Sequence, residues 1–159
     1  MLNRIKSAWR NARKSTRLRA IYSKLDSHIQ PAIAQVLREG KVAVVLGAAG
    51  TGKSTIAQKI LHDAFLSPEN MDYDADLDLI LDDVGITADT VDQALQMMNL
   101  ALGSGRSVIL IGQYWCDVSA LLEGLGVERF RVFNLNKVWG LNDCVMTRRI
   151  PGDVVIFDG

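Results

Sequence analysis

The hydrophobic positions along the chain fall into short continuous runs and longer segments with helical spacing. Residues 41–46 and 77–81 are apolar runs typical of buried strands, and a third strand is predicted over 107–113. Between them, residues 54–66 and 87–102 carry apolar side chains every three to four positions, which predicts amphipathic helices. The pattern therefore predicts that strands and helices alternate through the middle of the chain.

Weaker patterns predict the flanking elements. Residues 1–29 are expected to form a basic helix with a bend near residues 14–16, and Pro31 begins a short helix that Gly40 ends. The other predicted elements are an edge strand at 70–77, a helix at 118–125 and a strand at 129–135. A β-hairpin around a Pro-Gly turn is predicted at 143–157. We divide the chain into an N-terminal helical extension, 1–40, and a domain, 41–159.

The composition is that of a folded protein without a membrane span. Hydrophobic residues make up 48% of the 159 residues, and no run reaches the ~18 apolar residues of a transmembrane helix. The charged N-terminus lacks the apolar region of a secretory signal, and Cys116 and Cys144 have no metal-like spacing. We therefore expect reduced thiols in a cytoplasmic protein, or a virion-associated one if the chain is viral.

Charge is distributed unevenly, although the formal net charge is zero. Residues 1–25 contain no acid, whereas residues 60–105 contain acids but no lysine or arginine. The basic residues of the first segment are Arg4, Lys6, Arg10, Arg13, Lys14, Arg17, Arg19 and Lys24. Such a helix packs on its own domain, lies on an anionic membrane surface or contacts nucleic-acid phosphates, and the sequence leaves the three open.

The most specific motif lies directly after the first strand. Residues 47–54, GAAGTGKS, match the pattern G-x-x-x-x-G-K-[ST] at every fixed position. Glycines let the backbone turn tightly enough to direct N–H groups at phosphate oxygens, and the following helix adds its positive dipole end. The alternative is a glycine-rich turn that binds nothing.

This segment resembles the Walker A motif of P-loop nucleoside triphosphatases. We expect Lys53 to reach the β- and γ-phosphates of ATP and the Ser54 hydroxyl to bind Mg²⁺. The predicted nucleotide-binding residues are Gly47, Ala48, Ala49, Gly50, Thr51, Gly52, Lys53, Ser54 and Thr55.

The run that ends in Asp82-Asp83 resembles a Walker B strand. Asp82 is the predicted Mg²⁺ ligand, directly or through water, and Asp83 stands where many such ATPases have a glutamate that polarises the attacking water. The shorter Asp83 predicts slower hydrolysis. Alternative readings are a different register, with the metal on Asp76 or Asp78, or a strand that simply stops at a polar turn.

Polar residues farther along the chain supply further candidates. Gln113 follows the third strand, where it either senses the γ-phosphate as a catalytic residue or is a loop amide without a ligand. Four arginines are candidates for a finger that reaches a nucleotide in a neighbouring subunit, the alternative being solvated side chains: Arg129, Arg131, Arg148 and Arg149.

The order of these motifs is similar to that of the additional-strand branch of P-loop ATPases. Within that branch, Gly105-Arg106 before a strand ending in Gln113 is similar to the FtsK/HerA group, which includes DNA translocases, viral packaging ATPases and Zot-like proteins. The resemblance implies an α/β fold: a three-layer P-loop sandwich with a mostly parallel central sheet, an N-terminal helical extension and a C-terminal β-hairpin. It also implies a homo-oligomeric ring that hydrolyses ATP with Mg²⁺ to move DNA or other nucleic acid.

Two other classes remain open. A small P-loop kinase would hold its acceptor near Tyr73, Asp74 and Asp76, and a nucleotide-dependent switch or adaptor would bind ATP with little turnover. The absence of a guanine-recognition motif of the Asn/Thr-Lys-x-Asp type favours ATP over GTP.

Overall fold

The computed structural model describes residues 2–67, 72–82, 88–141 and 155–157. The strands are β1 Val42–Leu46, β2 Phe65–Ser67, β3 Leu79–Asp82, β4 Val108–Gly112, β5 Phe130–Asn134 and β6 Val155–Phe157. The helices are α1 Leu2–Lys24, α2 Gln30–Arg38, α3 Lys53–Ile60, α4 Ala88–Gly103, α5 Trp115–Leu122 and α6 Leu135–Trp139. A π turn, Leu25–Ile29, joins α1 to α2, and a 3₁₀ turn, Val127–Arg129, precedes β5.

The six strands form one sheet in the order β2-β3-β4-β1-β5-β6, and each described pair of neighbours is parallel. The register aligns the carboxyl ends of the central strands: Asp82 lies opposite Ile111, and Leu46 lies opposite both Gly112 and Asn134. Because β1 has a partner on each side, its carboxyl end is fixed at the middle of this edge. The α/β prediction with a parallel sheet is confirmed.

Successive side chains of β1 belong to two separate cores, one on each face of the sheet. Val42, Val44 and Leu46 pack with α4 and α5, whereas Ala43 and Val45 pack with α2, α3, α6 and the end of α1. All five residues of β1 are buried, as expected for a strand covered on both faces. Full burial of each valine or leucine side chain stabilises the fold by about 1.5–3 kcal/mol, so the two helical layers hold the sheet between them.

The N-terminal helix differs from its prediction in where it becomes irregular. It is continuous through residues 14–16, where the bend was predicted, and the Thr16 hydroxyl donates to the Ala12 carbonyl at 2.9 Å. The irregular turn is instead Leu25–Ile29, where the Gln30 N–H donates to the carbonyl of Leu25, five residues earlier. Pro31 has no N–H to continue the ordinary ladder, which accounts for the wider turn directly before it.

The helix that follows the first strand is shorter than predicted. α3 ends at Ile60 rather than near residue 66, and Phe65–Ser67 forms the edge strand β2 beside β3. The predicted edge strand at 70–77 is wrong for residues 72–77, which form a loop and turn. Pairing with β3 gives Phe65 a hydrogen bond from its N–H to the Asp78 carbonyl at 2.8 Å, and this tertiary contact outweighs helical spacing.

The last elements also shift from their predicted places. α5 begins at Trp115 rather than residue 118, because the Asp117 carboxylate accepts the N–H groups of Gln113 and Tyr114 at 3.0 and 2.8 Å and so caps the helix. α6 was not predicted. Of the predicted hairpin, the first arm and the turn lie outside the described residues, and β6 joins the sheet parallel to β5.

In the described part of the chain, no helix combines the length and apolar character that crossing a membrane requires.

Candidate functional site

The glycine-rich loop (residues 47–54) connects the buried end of β1 to the first turn of α3. Gly50 and Gly52 have φ angles of 79° and 91°, in the left-handed region that glycine adopts without strain. Gly47 is required for a different reason: a Cβ there would lie 2.6 Å from the Thr51 hydroxyl and 3.2 Å from the Leu135 Cβ. The loop therefore curls tightly over the end of β1, and α3 begins at its last turn.

Side chains from the adjoining β5-α6 segment fix the loop. The Ala48 N–H donates to Asn136 Oδ1 at 2.8 Å, and the Trp139 indole N–H donates to the Thr51 carbonyl at 3.0 Å. The Thr51 hydroxyl donates to the Ala48 carbonyl at 2.8 Å. Thr51 and Asn136 are 2% and 3% exposed and the three hydrogen bonds are part-buried, so they are stronger than hydrogen bonds at an open surface and favour one loop conformation.

The ammonium group of Lys53 lies inside the curve of the loop. Its Nζ donates to the Gly47 carbonyl at 2.6 Å and to the Ala48 carbonyl at 2.9 Å. Lys53 is also the first residue of α3, so its charge coincides with the positive end of an eight-residue helix. The loop, the helix end and the ammonium together form a concave surface suited to an anion.

Ser54 and Asp82, the two predicted Mg²⁺ ligands, meet at the carboxyl edge of the sheet. The Ser54 hydroxyl donates to Asp82 Oδ2 at 2.6 Å, although the residues are 28 positions apart in the chain. Hydroxyl and carboxylate oxygens are both ligands of Mg²⁺. The ion is commonly bound by one or two protein carboxylates together with waters and substrate phosphates. The donor set fits a magnesium ion shared with a phosphate. Asp83 lies outside the described residues, so its catalytic role stays a prediction.

Gln113 lies at the same edge, directly after β4, with an exposed side chain. Its N–H is held by Asp117, which fixes the backbone at this position. The placement is compatible with either reading of Gln113, as a γ-phosphate sensor or as a loop amide.

The alternative metal positions and two of the candidate arginines lie away from the loop. Asp76 and Asp78 precede β3, and the Asp78 carboxylate accepts the Ser107 N–H at 2.9 Å. Arg129 and Arg131 lie at the amino end of β5, where the Arg131 guanidinium donates to the carbonyls of its own segment. These residues are at the opposite edge of the sheet from the loop. Arg148 and Arg149 lie outside the described residues.

Tyr73, a predicted acceptor-site residue of the kinase reading, has local structural contacts. Its hydroxyl donates to the Leu77 carbonyl at 2.5 Å, and its ring packs edge-on against Phe65 with centroids 5.5 Å apart. Burial raises the pKa of Tyr73, and the neighbouring Asp78 raises it further. The side chain therefore anchors the β2-β3 connection as a neutral phenol.

A cleft of about 430 Å³ opens beside the loop. One wall is the loop and the start of α3, including Lys53 and Ser54, and the other is the end of α1 with Tyr22. The Tyr22 and Trp139 rings meet at 88° with centroids 5.8 Å apart, and Arg17 donates to the Trp139 carbonyl at 3.3 Å. The end of α1 therefore forms part of the site.

The sequence interpretation missed Asn134, Asn136 and Trp139. Asn134 caps α6, because its side chain accepts the Asn136 N–H at 3.1 Å. A usable signal was present: an asparagine at the end of a predicted strand, followed six residues later by Gly140, marks the two ends of a short helix. That pattern predicts the short helix but not its contact with the loop, which depends on β5 lying beside β1.

No family model, curated protein or solved structure matches the chain.

Proposed function

We propose that the chain is a P-loop ATPase of the additional-strand branch, which binds ATP with Mg²⁺ at the glycine-rich loop and hydrolyses it. The observation that carries the proposal is the hydrogen bond between Ser54 and Asp82, which joins the end of the motif to an acid at the end of another strand. A chance match to the motif gives no reason for a carboxylate at this position.

The described residues have separate tasks in this proposal. The loop N–H groups and the positive end of α3 bind the phosphates, and Lys53 neutralises the charge that develops on them. Ser54 and Asp82 hold Mg²⁺, which supplies electrostatic stabilisation of the transferred phosphoryl group when bound. Gln113 is the proposed γ-phosphate sensor, and Asp83, outside the described residues, is the proposed residue that polarises the attacking water.

The sheet order supports the branch assignment. β4 lies between β1, which carries the loop, and β3, which ends in Asp82. An extra strand between these two is the feature for which the branch is named. It also places Gln113 between the loop and the acid, where a side chain can contact a terminal phosphate.

The exposed part of α1 supports a nucleic-acid partner. Within residues 10–20, which we call the basic segment, every residue except Leu18 is exposed and no acid is present. Positive side chains on an exposed helix bind phosphate backbones without sequence preference. We propose that the protein acts as an oligomeric ring motor in nucleic-acid translocation or genome packaging.

Steady-state ATP hydrolysis, measured alone and with double- or single-stranded DNA at low salt, tests this function. We expect turnover that rises with DNA. Asp82→Asn should lower turnover about 10- to 100-fold, as for loss of a metal-orienting carboxylate, and raise the Mg²⁺ concentration needed. Asp92→Asn, an exposed acid on α4, is the matched control and should leave turnover unchanged.

Each other outcome has a defined meaning. Turnover that ignores DNA would argue against the motor. Tight ATP binding with no turnover under any condition would replace hydrolysis with the switch or kinase reading, and phosphate acceptors would then be screened. Absence of ATP binding would reject the whole proposal.

A further inference from the structure

We infer that the cleft beside the loop is the nucleobase site, and that Tyr22 is the residue on which the base stacks. This inference rests on the proposed function, because it assumes that the loop holds the triphosphate. It adds a specificity-determining role for the N-terminal helix, which the motif does not contain.

The cleft directly adjoins the glycine-rich loop. Its lining runs without interruption from Lys53, Ser54 and Thr55 in the first turn of α3 to Tyr22 and Trp139. A nucleotide whose phosphates lie on the loop must project its sugar and base away from the loop. The cleft is the concave surface that adjoins the loop on the α1 side, and its volume of about 430 Å³ leaves room for a nucleoside.

Two aromatic side chains of the cleft, Tyr22 and Trp139, offer a surface on which a base can stack. The Tyr22 and Trp139 rings stand at 88° to each other, so together they form a corner with two aromatic walls. A planar base can stack on one ring while its edge meets the other, and both arrangements are favourable for aromatic groups. Tyr22 is 55% exposed, which leaves ring surface accessible to a ligand.

Hydrogen bonds connect the Trp139 side of this corner to the loop and to α1. The Trp139 indole N–H donates to the Thr51 carbonyl at 3.0 Å, and Arg17 donates to the Trp139 carbonyl at 3.3 Å. Leu25, which also lines the cleft, is 6% exposed and anchors the start of the π turn in the core. The Trp139 wall of the cleft is therefore tied directly to the loop before any ligand arrives, and such preorganisation lowers the entropy cost of binding.

Calorimetric binding of ATP and of inorganic tripolyphosphate, each with Mg²⁺, tests the inference, because tripolyphosphate has the phosphates but no base. We expect the wild-type protein to bind ATP more tightly than tripolyphosphate. Tyr22→Ala should weaken ATP binding about tenfold, the order of one base-aromatic stack, and leave tripolyphosphate binding within about twofold. Tyr22→Phe, which keeps the ring, should bind both as the wild type does.

Leu100→Ala is the matched control, since Leu100 is another exposed apolar side chain, 54% exposed, on α4. It should bind both ligands normally, and the thermal midpoint without ligand checks that each variant is folded. Equal wild-type affinity for the two ligands, or an equal loss of both in Tyr22→Ala, would overturn the base site but not the proposal that the loop of the wild-type protein binds phosphates. Failure of the wild-type protein to bind either ligand would reject the proposed function and the base site with it.

Discussion

The glycine-rich loop and the basic segment are both positively charged, but they are built in opposite ways. The loop is held by its hydrogen bonds with Asn136 and Trp139, and it contains a single cationic side chain, Lys53, whose ammonium is bonded to the loop. The basic segment has several cationic side chains on a helix whose surface is almost entirely exposed. One region therefore offers a defined geometry, and the other offers charge density.

This difference sets what each region can recognise. Under the proposed function, a fixed ammonium beside a helix end, a hydroxyl and a carboxylate would select the arrangement of charges in a nucleotide with its metal. Exposed lysines and arginines attract any dense anionic surface, and salt weakens that attraction. A single substitution should abolish the function of the loop, whereas the basic segment should lose its function gradually.

Lys53→Ala tests the first half of this comparison and should have the largest effect. Because Lys53 supplies the only side-chain charge inside the loop, we expect a loss of ATP turnover or affinity of about a hundredfold or more. Steady-state hydrolysis and calorimetry would measure it. Lys41→Ala is the matched control: Lys41 lies at the other end of β1 and pairs with Glu39 at 3.1 Å. Unchanged hydrolysis in Lys53→Ala would contradict the proposal that the glycine-rich loop binds ATP for hydrolysis.

The contrast between the two regions also explains what could be predicted from the sequence. The loop, its strand and the pairing of Ser54 with Asp82 follow from a local motif and from apolar runs, because a parallel sheet brings strand ends together at one edge. The end of α3 and the strand β2 could not be predicted in this way. They depend on pairing between Phe65 and Leu79, and helical spacing in the sequence contains no information about that contact.

The partners of the loop were also beyond local patterns. The contact of Asn136 with Ala48 spans 88 positions of the chain and exists only because β5 lies beside β1. Likewise, the basic helix was predicted, but not that it has an exposed part and a buried part. Ile21 and Leu25 are buried, whereas the basic segment is exposed. Helical periodicity does not tell how far along a helix its tertiary neighbours extend.

Asn136→Ala sharpens the comparison, because it changes the geometry of the loop without changing its charge. The Ala48 N–H would lose an acceptor in a site where Asn136 is 3% exposed, which should lower the free energy of unfolding by about 1–3 kcal/mol. Denaturant unfolding measures this loss. ATP affinity should also fall, because the loop would no longer be held in one conformation.

The exposed Asn99 of α4 provides the control. Asn99→Ala should leave stability unchanged or raise it slightly, since alanine favours helix. Normal ATP affinity in a destabilised Asn136→Ala protein would show that the motif alone fixes the loop and that its neighbours only support the fold.

The smallest expected effect concerns the basic segment. Deleting residues 1–25 would also remove the buried Ile21 and Leu25, so charge substitution is the cleaner test. The triple variant Arg10→Gln/Lys14→Gln/Arg19→Gln should weaken DNA binding about tenfold at low salt. The slope of log binding constant against log salt concentration should become shallower by about 0.9 for each lost phosphate contact. Fluorescence anisotropy with a labelled duplex, over a series of salt concentrations, measures both quantities.

The control for this variant removes two basic residues elsewhere, in Arg38→Gln/Lys41→Gln, and should leave the salt dependence unchanged. ATP affinity should be normal in both variants, because the substituted residues lie outside the loop and its cleft. An unchanged salt dependence in the triple variant would contradict a nucleic-acid role for the basic segment. If that variant instead lost binding to vesicles of anionic lipid, the segment would be assigned to a membrane surface, where the same charges act through the same electrostatic attraction.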